Sequence, residues 1–168
     1  MELRPALPSD ARDVAAVHVR SWQSAYRGLL PDEYLDGLDP ADRAAAYTFG
    51  VPDPGGYHTI VAVDGGNILG FATTAPADDD DLPGWGVLAA LYVDPPHWNS
   101  GAGRALVAAA REALIERGFH DALLWVLVGN ERAERFYRID GWTPDGARKT
   151  DEVWGVSVDE SRYRRALR

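Results

Sequence analysis

The chain has 168 residues, 46% of them hydrophobic and 10% aromatic. A chain of this length folds as about one domain and buries roughly two thirds of its unfolded surface. Its 17 basic and 26 acidic residues leave a net charge of −9, which argues against nonspecific binding to nucleic acid or anionic lipid, since both need a basic footprint. Cysteine is absent, which excludes a disulfide framework, a cysteine–zinc site and a cysteine nucleophile. No apolar run approaches the ~20 residues of a membrane span. The first ten residues carry acids and prolines where a signal peptide needs its apolar region, so a cytoplasmic location is expected.

In chain order, a short strand near Leu3 comes first. Ser9 or Asp10 then reads as a helix N-cap. The helix that follows carries Val14, Val17, His18, Trp22 and Tyr26 at 3–4 spacing on one face, and Gly28 ends it. Pro31-Asp32-Glu33 opens a second helix, with proline and acids in the first turn. Asp39 to Tyr47 reads as a third, and Gly50 to Gly56 as a loop. His58 to Asp64 and Ile68 to Thr74 are β-rich runs joined by Gly65-Gly66-Asn67, a hairpin signal. Pro76 to Gly86 is a polar loop holding the run Asp78 to Asp81, which reads as solvated.

Val87 to Val93 is almost wholly apolar and predicts a strand buried on both faces. Gly101 to Arg117 is a strong helix stopped by Gly118. Ala122 to Val128 is a second apolar strand. Asn130 to Ile139 is helical, with Asn130 as N-cap and Gly141 at the end. Trp142 to Leu167 holds further strands. No linker interrupts this order, so residues 1–168 read as a single mixed α/β domain.

The most informative segment runs from Leu91-Tyr92-Val93 through Trp98-Asn99-Ser100-Gly101-Ala102-Gly103-Arg104. A strand enters a glycine-bearing turn that opens a long helix. The first N–H groups of such a helix lack internal partners and lie at its positive end, an arrangement that binds phosphate. A dinucleotide fingerprint would need a glycine where Leu106 stands. The nucleotide-triphosphate loop needs Gly-Lys-Ser/Thr, but Arg104-Ala105 follows Gly103.

A second motif lies downstream in Asn130-Glu131-Arg132-Ala133-Glu134-Arg135-Phe136-Tyr137, followed by Gly141-Trp142. Together the two motifs resemble the GCN5-related N-acetyltransferases over about residues 87 to 142. That family's pyrophosphate loop has the form Gln/Arg-x-x-Gly-x-Gly/Ala after a strand ending in a Leu-Tyr-Val-like triplet. Here Trp98 stands at the first position. The second motif matches the family's Asn-x-x-Ala-x-x-Phe-Tyr helix.

The resemblance implies a GNAT-like mixed sheet with N-terminal helices and a splayed central strand pair. It implies acetyl-CoA as cofactor, held by Leu91, Tyr92, Val93, the turn Trp98, Asn99, Ser100, Gly101, Ala102, Gly103 and Arg104, and by Asn130 near the pantetheine arm. It implies that Tyr137 gives a proton to the departing thiolate, and that the acetyl group passes directly to an amine of a small molecule or peptide. Without cysteine, and with no serine in a nucleophile elbow, no acyl-enzyme is expected.

Many family members use a glutamate on one of the two central strands to take the amine's proton. Those positions hold Val87 and Trp125, and neither is a base. Asp94, His18, Tyr92 and solvent remain, with a water-mediated or solvent base preferred. Trp22 and Tyr26 are the acceptor-site candidates, although both also fit a core. The acidic excess suits a cationic acceptor. No metal ligand set is present: His97 stands beside Trp98 with no second histidine at helical spacing. By analogy with the family, a homodimer through the C-terminal strands is expected, with Trp154 as an exposed contact. The alternative function is a noncatalytic acyl-CoA-binding or sensing protein.

Overall fold

The computed structural model describes residues 1–168. Seven strands and five α-helices follow one another: β1 Glu2–Pro5, α1 Ala11–Ala25, α2 Asp32–Asp36, α3 Pro40–Ala44, β2 His58–Asp64, β3 Asn67–Pro76, β4 Gly86–Val93, α4 Ala102–Glu116, β5 Asp121–Leu127, α5 Glu131–Ile139, β6 Thr143–Val153 and β7 Val156–Ala166. The strands form one sheet in the order β1-β2-β3-β4-β5-β7-β6. Every pair is antiparallel except β4 and β5. No helix is long and apolar enough to cross a membrane.

The alternation of β2 shows how the layers form. Ile60 and Ala62 join Leu106, Val107, Ala110 and Leu114 of α4 in the larger core. Val61, between them, faces Val14 and Val17 of α1 in a second cluster. The helices therefore cover opposite faces of the sheet. Full burial of a valine or leucine contributes about 1.5–3 kcal/mol, so the α4 row alone rivals any polar contact in the molecule.

Several local expectations change. Asp10 stands at the start of α1 but does not cap it: its carboxylate accepts from the Leu7 N–H at 2.7 Å and pairs with Arg4 at 2.7 Å. The third helix is only Pro40–Ala44, capped by Asp39, whose carboxylate accepts from the Ala41 N–H at 2.9 Å. The acidic loop is not simply solvated, because Asp79 and Asp81 both bind the Arg162 guanidinium. Trp154 is half-buried rather than exposed. It packs at 5.1 Å from each of Trp22 and His18, beneath the Arg43 guanidinium.

β4 departs most from expectation. It is half-open along much of its length, not buried on both faces. It pairs with β5 only at Gly86–Ala122 and Val87–Leu123. On its other side, Thr73 opposes Ala90 while Thr74 opposes Leu88, so Ala89 is an extra residue. Such a bulge bends a strand. Here the bend follows the last β5 pair, and the two strands splay. The apolar run is long because it lines an opening, not because helices cover it twice.

Candidate active site

The splay between β4 and β5 opens a cavity of about 1790 Å³ that runs through the sheet from the α4–α5 side to the α1 side. Leu91, Tyr92 and Val93 line it, as do Val87 and Trp125. Ser21 braces the end of β4: its Oγ donates to the carbonyls of Val17 at 2.7 Å and Val93 at 3.1 Å.

At one mouth lies the turn into α4. Gly101 is its N-cap, with φ +93°, and a Cβ there would meet no atom, so backbone conformation and not crowding selects glycine. Asn99 is also left-handed, at φ 62°, a conformation asparagine tolerates better than most residues. The backbone N–H groups of Asn99, Ser100, Gly101, Gly103 and Arg104 have no acceptor within the protein. Five free donors at the positive end of a 15-residue helix suit an anion. At Gly103 a Cβ would come 3.4 Å from the Phe136 ring, so the glycine lets α4 and α5 approach closely. Ala102 does not share the exposure of its neighbours. It is fully buried in the α4 core and does not line the cavity.

Trp98 acts as the floor of this turn. Its indole N–H donates to the Val93 carbonyl at 2.8 Å, and the Arg132 guanidinium lies 3.7 Å from its ring centroid. Sequence reasoning found one arginine for this mouth, Arg104. The fold adds Arg132 and Arg135 from α5. Their i, i+3 spacing on a helix starting near the turn is the signal that would have revealed them.

Asn130 caps α5, accepting from the Ala133 N–H at 3.3 Å, and also lines the cavity. Tyr137 reaches the same cavity from α5 and is 9% exposed. Phe136 and Trp142 hold its ring edge-on at 5.4 and 6.3 Å. Burial pushes its phenol above the ordinary tyrosine range, with Tyr92 and Asp140 adding to the rise. The proton therefore stays on Oη at neutral pH.

The α1 side is aromatic. Trp22 and Tyr26 line it while also packing with Leu127 and Val158, so core and cavity are one surface here. Tyr26 and Tyr92 bring their hydroxyls within 3.3 Å of each other. His18 is a structural residue: its Nδ1 meets the Tyr47 hydroxyl at 3.0 Å and its ring stacks on Tyr92 at 4.8 Å. Burial lowers its pKa to about 3, helped by the Arg43 charge. Asp94 is held by Arg20 through two bonds of 2.8 and 2.9 Å.

Two acidic side chains of the β6–β7 hairpin that line the cavity, Asp151 and Glu160, had not been singled out. Glu160 of β7 lines the cavity beside Tyr26 and Tyr92 and is half-buried. Burial raises its carboxyl above the ordinary range; Lys149 opposes the rise and Asp151 adds to it. The signal was the run Val158, Glu160, Arg162, one face of a strand by alternation.

Comparison with known proteins agrees with this geometry. The profile of the Acetyltransferase (GNAT) family matches residues 19–142. The chain is 30% identical over 166 residues to the uncharacterized N-acetyltransferase YuaI of Bacillus subtilis, covering 94% of this chain and 88% of that protein. It is 29% identical over 119 residues to a phosphinothricin N-acetyltransferase of Streptomyces coelicolor, covering 69% of this chain and 70% of that one. The PaiA N-acetyltransferase of Thermoplasma acidophilum, solved with coenzyme A, superposes with a TM-score of 0.69 at 17% identity, covering 95% of this chain and 96% of that one. A glycine turn with free N–H groups, a splayed strand pair and a buried tyrosine thus occur in a chain that belongs to the Acetyltransferase (GNAT) family, whose members take their acetyl group from acetyl-CoA.

Proposed function

We propose that this acetyltransferase moves the acetyl group of acetyl-CoA directly onto a primary amine of a small molecule or peptide. The observation that carries the reading is continuity: one cavity joins the free N–H groups of the 99–104 turn to the aromatic pocket on the α1 side, and Tyr137 lines it. Acetyl-CoA supplies an activated acyl carbon on a thiol leaving group.

The chain's own groups do the rest. The turn 99–104 holds the pyrophosphate with backbone N–H donors, and Arg104, Arg132 and Arg135 add positive charge. The open edge of β4, from Leu88 to Val93, offers backbone groups to the pantetheine amides as a neighbouring strand would. The N–H groups there are preorganised donors for charge developing on the acyl oxygen. Asn130 borders the arm. Tyr137 delivers its proton to the departing sulfur. Burial makes the phenol a weak acid in isolation, yet a thiolate generated beside it in the same low-dielectric space is a strong base, and proton transfer relieves that charge.

The acceptor enters against Trp22 and Tyr26 on the α1 side. The Streptomyces relative is named for one small amine, phosphinothricin. Glu160 lines the cavity near these aromatic rings without an ion-pair partner, which favours a cationic acceptor.

The reading is tested by free-thiol release over a panel of amines, with binding of acetyl-CoA followed by thermal shift. Wild-type protein should be stabilised by about 2.7 kcal/mol at 100-fold excess over Kd. Tyr137→Phe should keep that stabilisation and lower kcat by about 10²–10⁴-fold. A full shift with no thiol release on any amine would identify a binding protein instead. An unchanged rate in Tyr137→Phe would remove the proton-donor role.

A further inference from the structure

We propose that Glu160 is the group that takes the proton from the acceptor's ammonium, a role that rests on the acetyl-transfer reading above. Neither central strand supplies a base, because Val87 and Trp125 stand where a carboxylate would be sought. The site obtains one from the next strand. In the β5–β7 register Glu160 lies opposite Leu127, the last residue of β5, at the wide end of the splay. Strand alternation puts it on the face of Val158, which packs against Trp22 and Tyr26. This is the α1 side, where the acceptor enters.

Two other acids near the site are occupied. Asp94 is bound by Arg20, and Asp79 accepts from the Trp125 indole at 3.1 Å and from Arg162 at 3.1 Å. Glu160 has no salt-bridge partner. Its cross-strand neighbour Lys149 pairs with Asp151 at 3.6 Å and lies 4.3 Å from the Trp125 ring centroid. Arg162, two residues along, is taken by Asp79, Asp81 and Asp145.

The titratable groups facing Glu160 are Lys149 and Asp151 of β6, Tyr26 of α1 and Tyr92 of β4. Burial holds both phenols protonated, so neither competes for the role. It also raises the carboxyl, while the same surroundings lower the pKa of a bound ammonium. The two proton affinities converge.

An N–H bond of R–NH3⁺ breaks and its proton goes to a Glu160 carboxylate oxygen. The freed nitrogen lone pair forms the C–N bond while the carbonyl π electrons move to the acyl oxygen, and their return breaks the C–S bond. The sulfur takes the proton of Tyr137, and a second amine proton returns to the Tyr137 oxygen. Glu160 then releases its proton to solvent. The sum is R–NH3⁺ plus acetyl-CoA giving the amide, coenzyme A and one proton.

Glu160→Gln keeps the shape and removes the base; Glu160→Asp keeps the charge on a shorter arm. Phenethylamine, spermidine and an alanine-led peptide are the probes, with thiol release followed from about pH 6 to 10 on the best of them. Glu160→Gln should lose about 10²-fold or more in kcat at neutral pH, and its rate should climb with pH where wild type has levelled. Acetyl-CoA should stabilise it as it does wild type. Glu160→Asp should retain the levelling at lower kcat.

A readout free of turnover is carboxyl carbon NMR of glutamate-labelled protein saturated with coenzyme A. Wild type should show a signal titrating above the ordinary ~4.3, moved by added amine and missing in Glu160→Gln. A raised KM for amine with kcat and pH profile intact would make Glu160 a cation anchor and overturn its role as base. A carboxyl signal indifferent to amine would also overturn it. If wild type binds acetyl-CoA yet acetylates no probe, the transfer reading itself falls and takes this role with it.

Discussion

Replacing Arg162 with methionine removes the cation that three carboxylates share, and the structure says which of them will matter. Asp145 lies 2.7 Å from the Arg162 Nε with its side chain 1% exposed. Asp79 lies 3.1 Å away and is 10% exposed. Asp81 is close, at 2.6 Å, but 65% exposed, so water and salt screen its pair and its loss should barely register. Asp79 keeps the Trp125 N–H. Asp145 is left as a buried carboxylate without its main partner, a defect that costs about 3–5 kcal/mol. Arg164, 3.5 Å from the same oxygen, covers part of that loss and favours the lower end.

For a chain of this size about 2–4 °C accompanies each kcal/mol, so the melting temperature should fall by about 6–20 °C. Urea and thermal unfolding at neutral pH would measure it. Adding Asp145→Asn to Arg162→Met should restore much of the loss, since an amide does not strand a charge. The KM for the acceptor should rise as the Asp78–Asp81 loop, no longer anchored by Arg162, shifts beside Trp125, with the KM for acetyl-CoA unchanged. A loss below about 1 kcal/mol, or a double variant no better than Arg162→Met, would refute the assignment of the energy to Asp145.

Two further outcomes follow from other sites. Gly101→Ala should cost about 1–2 kcal/mol in stability, because φ +93° disfavours any Cβ, and should weaken acetyl-CoA binding by calorimetry as the turn's N–H groups shift. Equal affinity would show that the turn's conformation does not govern donor binding. His18 is neutral in the fold with a pKa of about 3, against about 6.5 unfolded. The unfolded chain therefore binds the extra proton, and this contribution to stability is complete above about pH 6.5 and declines by about 1.4 kcal/mol per unit as pH falls toward 3. His18→Phe should remove that share of the acid sensitivity in unfolding curves, and an unaltered acid slope would refute the assignment.

Local signals carried most of the fold. The helical spacing of Val14, Val17 and Trp22 predicted α1, and the Gly65-Gly66-Asn67 turn predicted the β2–β3 hairpin. Both signals lie within a few residues of what they determine. The turn into α4 was legible for the same reason, since Gly101 answers a need of its own backbone. Features set by distant partners were not. Arg162 meets Asp81 across 81 positions, so the acidic loop read as solvated. Glu160 reads as one more charge on a strand until β7 is known to lie beside β5. His18 has an accessible pKa in isolation and loses it to aromatic rings from α1, β3, β4 and the β6–β7 turn. The opening of β4 depended on one unpaired residue, Ala89, whose sequence carries no mark of a bulge.

That opening bears on the cohesion of the whole molecule. Only two residue pairs join β4 to β5, so the sheet is nearly two sheets, β1–β4 and β5–β7, hinged at Gly86 and Val87. A molecule lying in the gap with its own amides stitches the halves together. Stability then rises with donor concentration. Amides of Leu88 to Val93 that face the gap should exchange with solvent freely in the empty protein and slowly in the loaded one. The cofactor is thereby a structural element as well as a reactant, and its concentration tunes the cohesion of the sheet it crosses.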